Sequence, residues 1–332
     1  MRSLSHTSLY AVVSFCVAVG AVSVAGCGSS ATPSAAGVPL SVWQRSVPAT
    51  LPKEPIVVTF DSASGGLAYW PMRSGGGQQL QPLSGPLGIH NVYALAADGD
   101  VVIIANYNPA ELVAYDVRSK GETTLADPFG GPVDVAVGRD GKYYALNLAS
   151  VTVFKPGSSS EPYELTCPDI TNGQAIAVDN EGDVFVNGLG KTFMGVVEYP
   201  AGSAKCVRPH LRTERGYPAG VGVDPKTDDL IVVDDPDLCA GGLEGRMIIY
   251  PRPFAQRTSI RRVLGATYCA GNFRLDARSK MIFYADASVS DGIPIIDQAR
   301  FPSAKSEGQY WLGYYSSQYF SGITTIPNAL PN

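Results

Sequence analysis

Residues 176–188 read IAVDNEGDVFVNG, and residue types alone make this a hairpin. Ile176 and Val178 open an apolar run, Asp179–Gly182 forms a turn, and Val184 starts a second β-rich run. Turn residues between two such runs mark antiparallel pairing. The sentence recurs as LAADGDVVIIAN (95–106), VAVGRDGKYYALN (135–147), VGVDPKTDDLIVVDD (221–235) and FRLDARSKMIFYADA (273–287). Each copy ends near an Asn or Asp. Two of them continue with two further strands, VTVFKPGSSSEPYELTC (151–167) and GVVEYPAGSAKCVRPHL (195–211). Each continuation starts apolar, turns at KPGSSS or PAGS, and ends in a more polar strand.

Four strands per repeat, at a period of roughly 40–50 residues, is the pattern of a β-propeller blade. Inner strands lie between neighbouring blades and must be apolar, whereas the outermost strand meets water. One blade cannot bury both its faces, so the repeats need one another. The five hairpins are preceded by IVVTFDS, GLAYWPM and GQQLQPL, three strands that lack an innermost one. GITTIPNAL (322–330) is a single strand at the other end. We therefore expect an all-β, six-bladed β-propeller of four-stranded blades over 56–332, closed by the C-terminal strand completing the first blade. Such closure removes the free sheet edges that invite aggregation.

QAIAVDNEGDVFVNG and YPAGVGVDPKTDDLIVVDD resemble NHL-type repeats, in which a glycine precedes an apolar-Ala-Val-Asp run. The resemblance implies a six-bladed propeller and, more distantly, likeness to the gluconolactonase and senescence-marker class. In that class a divalent metal sits at the mouth of the central channel, held by Glu, Asn and Asp at the starts of innermost strands. The corresponding positions here are Asn91, Val133, Gln174, Ala219, Gly271 and Ser321, with no carboxylate among them. A hard cation needs negatively charged oxygen ligands. A shift of one residue in this alignment brings Asp134 and Asn272 into the ring. We expect no metal, no cofactor and no catalytic residue; the alternative is a metal-dependent hydrolase or lactonase of this class.

The amino-terminal residues give an address. Arg2 precedes LYAVVSFCVAVGAVSVAG, an uncharged run broken by Gly20 and ending in small residues, as secretory signals do. VAGC (24–27) resembles the bacterial lipobox, which implies cleavage before Cys27 and acylation of its thiol. The low-complexity GSSATPSAAG that follows suits a tether. The expected organisation is a lipoprotein signal peptide (1–26), a flexible tether (27–55) and the propeller (56–332). It places the protein at the bacterial cell envelope, on the extracytoplasmic side of a membrane that it holds through its lipid.

Of six cysteines, Cys16 lies in the signal and Cys27 carries lipid, leaving Cys167, Cys206, Cys239 and Cys269. An even number in an exported chain implies disulfides, and four cysteines allow three pairings. In a propeller, Cys167 and Cys206 fall in outer strands of successive blades, and the loops of Cys239 and Cys269 share a face. Cys167–Cys206 and Cys239–Cys269 are the expected bridges.

The chemistry is otherwise sparse. A net charge of −5 excludes a surface built to displace counterions from nucleic acid. No G-x-S-x-G elbow or phosphate-binding loop is present. His90 is the one histidine placed at an inner-strand start, where a structural role competes with acid–base chemistry. His90, Asn91, Gln174 and Asn272 form a neutral set suited to a polar ligand such as a glycan or a protein segment. A second candidate is QYWLGYYSSQYF (309–320), six aromatics around Trp311. Flat rings with polar tips suit sugars, protein partners or the packing of a closing blade. The expected function is non-catalytic recognition.

Overall fold

The computed structural model describes residues 54–62, 64–72, 81–157, 161–209, 211, 217–235, 245–252, 262–267, 273–286, 295–301, 305–311 and 322–326. Cys27, Cys239, Cys269 and Asn272 lie outside these residues, as do the signal segment and most of the tether. Among the described residues there is no helix.

The strands assemble in chain order into six antiparallel sheets. The first contains β1 (Ile56–Asp61), β2 (Gly66–Pro71) and β3 (Gln81–Pro82). The second is β4 (Val92–Asp98), β5 (Val101–Asn106), β6 (Glu111–Asp116) and β7 (Glu122–Ala126). The third is β8 (Asp134–Val137), β9 (Tyr143–Leu146), β10 (Ser150–Phe154) and β11 (Tyr163–Thr166). The fourth is β12 (Asn172–Val178), β13 (Val184–Leu189) and β14 (Met194–Tyr199). The fifth is β15 (Tyr217–Val223), β16 (Leu230–Asp235), β17 (Gly245–Tyr250) and β18 (Arg262–Thr267). The sixth is β19 (Phe273–Leu275), β20 (Met281–Asp286), β21 (Ile295–Arg300) and β22 (Lys305–Trp311). Finally β23 (Ile323–Ile326) returns to the first sheet and pairs antiparallel with β1, Val58 opposite Thr324.

Strand alternation divides every sheet between two interiors. Along β5, Val102 and Ile104 pack with Ile56 and Tyr69 of the first sheet. Ile103 and Ala105, between them, pack with Val135 and Tyr143 of the third. The pattern continues round the chain: Val186 meets Val151, Phe185 meets Val221, Ile231 meets Phe273, and Phe283 of β20 meets Val57 and Trp70 of the first sheet. Outer strands differ as expected: β7 is almost wholly exposed, and only Leu165 of β11 is buried.

In three repeats the Asp that follows the first strand, Asp179, Asp224 or Asp276, is a turn residue. Asp179 Oδ1 accepts from the N–H groups of Glu181 and Asp183, both at 2.9 Å. Asp276 Oδ1 accepts from Lys280 and Met281 at 2.6 and 2.8 Å. Turns also lock across sheets: Arg252, after β17, pairs with Asp179, with Asp183 at 2.7 Å and with Glu181 at 2.9 Å, all in the β12–β13 turn.

The fourth sheet departs from the expected four strands. Among the described residues, its outer segment contributes the isolated pairing of Val207 with Glu198 and no named strand. Pro209, two residues on, has no N–H to extend that ladder. Instead Cys206 is bonded to Cys167 at the end of the third sheet, the expected pairing, with Cα atoms 5.6 Å apart. With a sequence separation of 39, the bridge constrains the unfolded chain by about 4 kcal/mol in the loop-entropy account. A Cys167→Ala/Cys206→Ala variant should therefore unfold at lower denaturant, with an unchanged midpoint contradicting this assignment.

Entry into β23 is equally specific. Gly322 has φ +80°, and a Cβ there would lie 2.3 Å from Leu95 N and 2.6 Å from the Ala94 carbonyl carbon. Gly99 has a similar φ of +58° but open space around it. Gly99→Ala should cost about 1–2 kcal/mol from backbone strain alone. Gly322→Ala should cost about 2 kcal/mol more, because the junction between β23 and β4 must open. Equal losses in equilibrium denaturation would mean that β23 does not press on β4.

Candidate functional site

The strands at the inner edges of the six sheets, β4, β8, β12, β15, β19 and β23, each lie beside the next, and β23 lies beside β4. They line an open pocket of about 320 Å³ toward the ends of these strands, and its wall takes Ala96, Val135, Ile176, Val221, Arg274 and Thr324, one from each strand. Arg274 crosses this space. Its Nη2 donates to the Leu95 carbonyl at 3.0 Å and to Asp134 Oδ1 at 3.0 Å, while Nη1 donates to the Phe273 carbonyl at 3.0 Å. Asp134 also accepts from the N–H groups of Val135 at 2.8 Å and Ile176 at 2.9 Å. Among the described residues, the acid at an inner-strand start is thus fully buried, with both of its oxygens already accepting hydrogen bonds, Oδ1 from Val135 and Arg274 and Oδ2 from Ile176. Among the described residues no three His, Cys, Asp or Glu side chains converge on a common point.

Three inner strands carry a bulge near their start, and each leaves one residue outside the ladder. These are Tyr93 in β4, Gln174 in β12 and Ala219 in β15. The bulge makes Tyr93, not Asn91, the counterpart of Gln174. Asn91 lies two residues earlier, exposed, its Nδ2 donating to the Asn108 carbonyl at 3.1 Å. Gln174 is half-buried and donates to Asn172 Oδ1 at 2.9 Å. His90 is exposed beside Asn91. Trp311 ends β22 opposite Ile295, far along the chain from this group, and residues 312–320 of its aromatic cluster lie outside those described.

Sequence reading missed the apolar residues on this face. Tyr93 is 48% exposed, Tyr107 38%, Phe129 41% and Leu148 45%. They come from the start of β4, the β5–β6 turn, the β7–β8 loop and the β9–β10 turn, all at the same ends of their strands. The rings of Tyr93 and Tyr107 are 5.2 Å apart, tilted by 46°. Gly131 lets the Tyr107 ring lie against the β7–β8 loop, since a Cβ there would be 2.7 Å from a ring carbon. The available signal was a large apolar residue inside a turn-rich stretch, in NYNPA, DPFGGP and NLAS.

Beneath this ledge the second strands end in buried asparagines. Asn106 Nδ2 donates to Glu111 Oε1 at 2.7 Å, and Asn187 Nδ2 donates to the Gly220 carbonyl at 3.1 Å. Asn147 Nδ2 donates to Thr152 Oγ1 at 2.9 Å, and that hydroxyl donates to Asp127 Oδ1 at 2.7 Å. The repeated Asn is thus a structural tie. Asp127 is 7% exposed, and its Oδ2 finds no partner among the described residues. Burial pushes its carboxyl above the usual range, against the opposing bonds from Phe129 N–H and Thr152.

No protein-family model matches the chain, and no curated protein matches it in sequence. Among solved structures it is similar to a chain of a nidogen/laminin complex, at 15% identity and a TM-score of 0.66. That likeness covers 82% of this chain and 98% of the other. It is also similar to hydrazine synthase of Kuenenia stuttgartiensis, at 17% identity and a TM-score of 0.51, over 64% of each chain. Both neighbours are propellers of the NHL or YWTD-like kind. The fold is a β-propeller. Within it, the described starts of β4, β8 and β12 and the Tyr93–Tyr107 pair lie at the same ends of their sheets.

Because the folded state raises the Asp127 pKa, folding favours the protonated carboxyl. The resulting stability is present below the unfolded value of 3.8 and is lost as pH rises through the higher folded value. Asp127→Asn keeps the acceptor that Phe129 and Thr152 use and places a donor at the unpartnered position. The variant should match wild type in acid and exceed it by about 1–2 kcal/mol at neutral pH. A stability difference that is constant with pH in thermal unfolding would contradict a buried, proton-binding Asp127.

Proposed function

We propose that this chain is a lipid-anchored recognition protein of the bacterial cell envelope, a six-bladed propeller closed by β23. Six successive sheets, inner strands each beside the next, and the pairing of β23 with β1 support that count and closure. Residues 1–26 act as the signal peptide, Cys27 carries the lipid, and 27–55 hold the propeller away from the membrane. Cys239–Cys269 forms a second bridge between loops of one face.

The observation that carries recognition over catalysis is the state of Asp134. The metal-dependent hydrolase or lactonase alternative needs carboxylates at the channel mouth. The bulge positions offer Tyr93, Gln174 and Ala219, and Asp134 is committed to Arg274 and two backbone N–H groups. Among the described residues, the inner-strand starts present His90, Asn91 and Gln174 together with exposed aromatic rings, and our reading adds Asn272 to this set. Loops on a rigid scaffold are the usual place for binding groups. The nidogen/laminin neighbour comes from a complex between two proteins, so this scaffold serves recognition elsewhere. The ligand is a neutral polar molecule, glycan or protein, and the membrane is reached through the lipid.

Cys27→Ser should move the protein from the membrane to the soluble fraction and abolish labelling by a palmitate analogue. Each buried methylene contributes about 0.8 kcal/mol, so loss of the acyl chains removes the anchor. Unchanged membrane fractionation of the variant, with the signal uncleaved, would refute the lipoprotein reading.

A further inference from the structure

We infer that the Tyr93–Tyr107 ledge is a carbohydrate-binding subsite that takes a neutral oligosaccharide across the second to fourth sheets. The inference rests on the recognition reading and names the ligand class of that face. Its ground is a continuous arc. Tyr93 and Tyr107 lie ring to ring at 5.2 Å, and Tyr107 lies on Gly131. Phe129 precedes that glycine pair, and a Cβ at Gly130 would be 3.4 Å from Asn147. Leu148 follows, its carbonyl accepting from Gly173 N–H at 2.6 Å, and Gln174 comes next. Three exposed rings and a leucine therefore run from the β4 bulge to the β12 bulge.

Charge decides the occupant. The segments that build the arc, 88–93, 107–110, 128–133, 147–149 and 170–174, contain no Asp, Glu, Lys or Arg, and the charged residues that directly flank them, Glu111, Asp127, Asp134 and Asp169, are all acids. The whole chain has 25 Lys and Arg and 30 Asp and Glu, so this gap is local. An anionic headgroup, a phosphate or an acidic peptide would need cations that are missing here. A pyranose has the complementary chemistry. Its C–H face stacks on an aromatic ring, and its hydroxyl groups pair with carboxamides. Asn91 and Asn108 flank the two tyrosines, while Asn172 and Gln174 flank Leu148. Each has donor or acceptor capacity beyond the bonds described above. Pro109, Pro128 and Pro132 restrict the loops that present the rings, which lowers the ordering cost of binding.

The test uses the full chain with cellohexaose, maltohexaose and chitohexaose as probes in titration calorimetry. At least one should bind, and Tyr93→Ala and Tyr107→Ala should each weaken it by about tenfold. Tyr107→Phe keeps the ring and should retain most of the affinity. Tyr163→Ala, an exposed tyrosine on outer strand β11, should change nothing. Circular dichroism and unfolding midpoints confirm that each variant is folded. Binding that survives both alanine variants overturns the ledge as the subsite. A wild type that binds none of the sugars overturns the inference. If that wild type still crosslinks to an envelope protein through a photoreactive residue at position 93, general recognition stands; if it does not, both readings fall.

Discussion

Phe185 and Val186 are neighbours in sequence and lie in different interiors, and the rest of the structure depends on that division. A β-strand sends successive side chains to opposite faces. Where both runs are apolar, the sheet has two faces to remove from water and no solvent face to spare. The second strand of each repeat is in this position: Val102–Ala105, Tyr143–Leu146, Val184–Val186 and Leu230–Val233 are buried throughout. Each sheet must therefore be covered twice, by the sheet before it and the sheet after it. The sixth sheet meets the same demand through Phe283, which packs on Val57 and Trp70 of the first. Burial of this kind falls away outward, so β7 and β11 present polar residues to water.

Packing alone would tolerate slippage between sheets, and polar residues set the register. Asp179, Asp224 and Asp276 are buried acids whose oxygens replace the hydrogen-bond partners that turn N–H groups lose on leaving water. Asn106, Asn147 and Asn187 do the corresponding work where second strands end. Arg274 and Asp134 act over a long sequence distance, joining β19 to β4 and β8. A buried ion pair of this sort adds little net stability but penalises any arrangement that separates the charges. The same commitment withdraws Asp134 from chemistry at the mouth.

A scaffold held this way frees its connecting loops from structural duty. The face with the inner-strand starts carries residues that packing does not require: Tyr93, Tyr107, Phe129 and Leu148 expose apolar surface that water does not favour. Single exposed apolar residues need no explanation, but several joined along an uncharged arc do. Bulges in β4 and β12 contribute directly, each turning one residue out of the ladder toward the mouth.

Five hairpins, the apolar-to-polar gradient from inner to outer strands and the Cys167–Cys206 bridge could be read from residue order. Their causes are local: a period of two, turn residues at fixed offsets, and cysteines in the outer segments of adjacent repeats. That the described residues of the fourth sheet form three strands was less legible, because VRPHL has strand-like polarity while Pro209 cannot donate. The candidate site was legible only in part. His90, Asn91 and Gln174 were placed near the mouth, but a bulge adds one residue without any periodic signal, so Tyr93 took the place assigned to Asn91. Asp134 looked like a potential ligand until Arg274, 140 residues away, was found beside it. The aromatic ledge comes from segments dispersed over about eighty residues, each unremarked as a turn. Sequence determines which residues must be buried beside their near neighbours. Only the packing of sheet against sheet decides which distant loops share a face, because that contact is fixed between whole sheets.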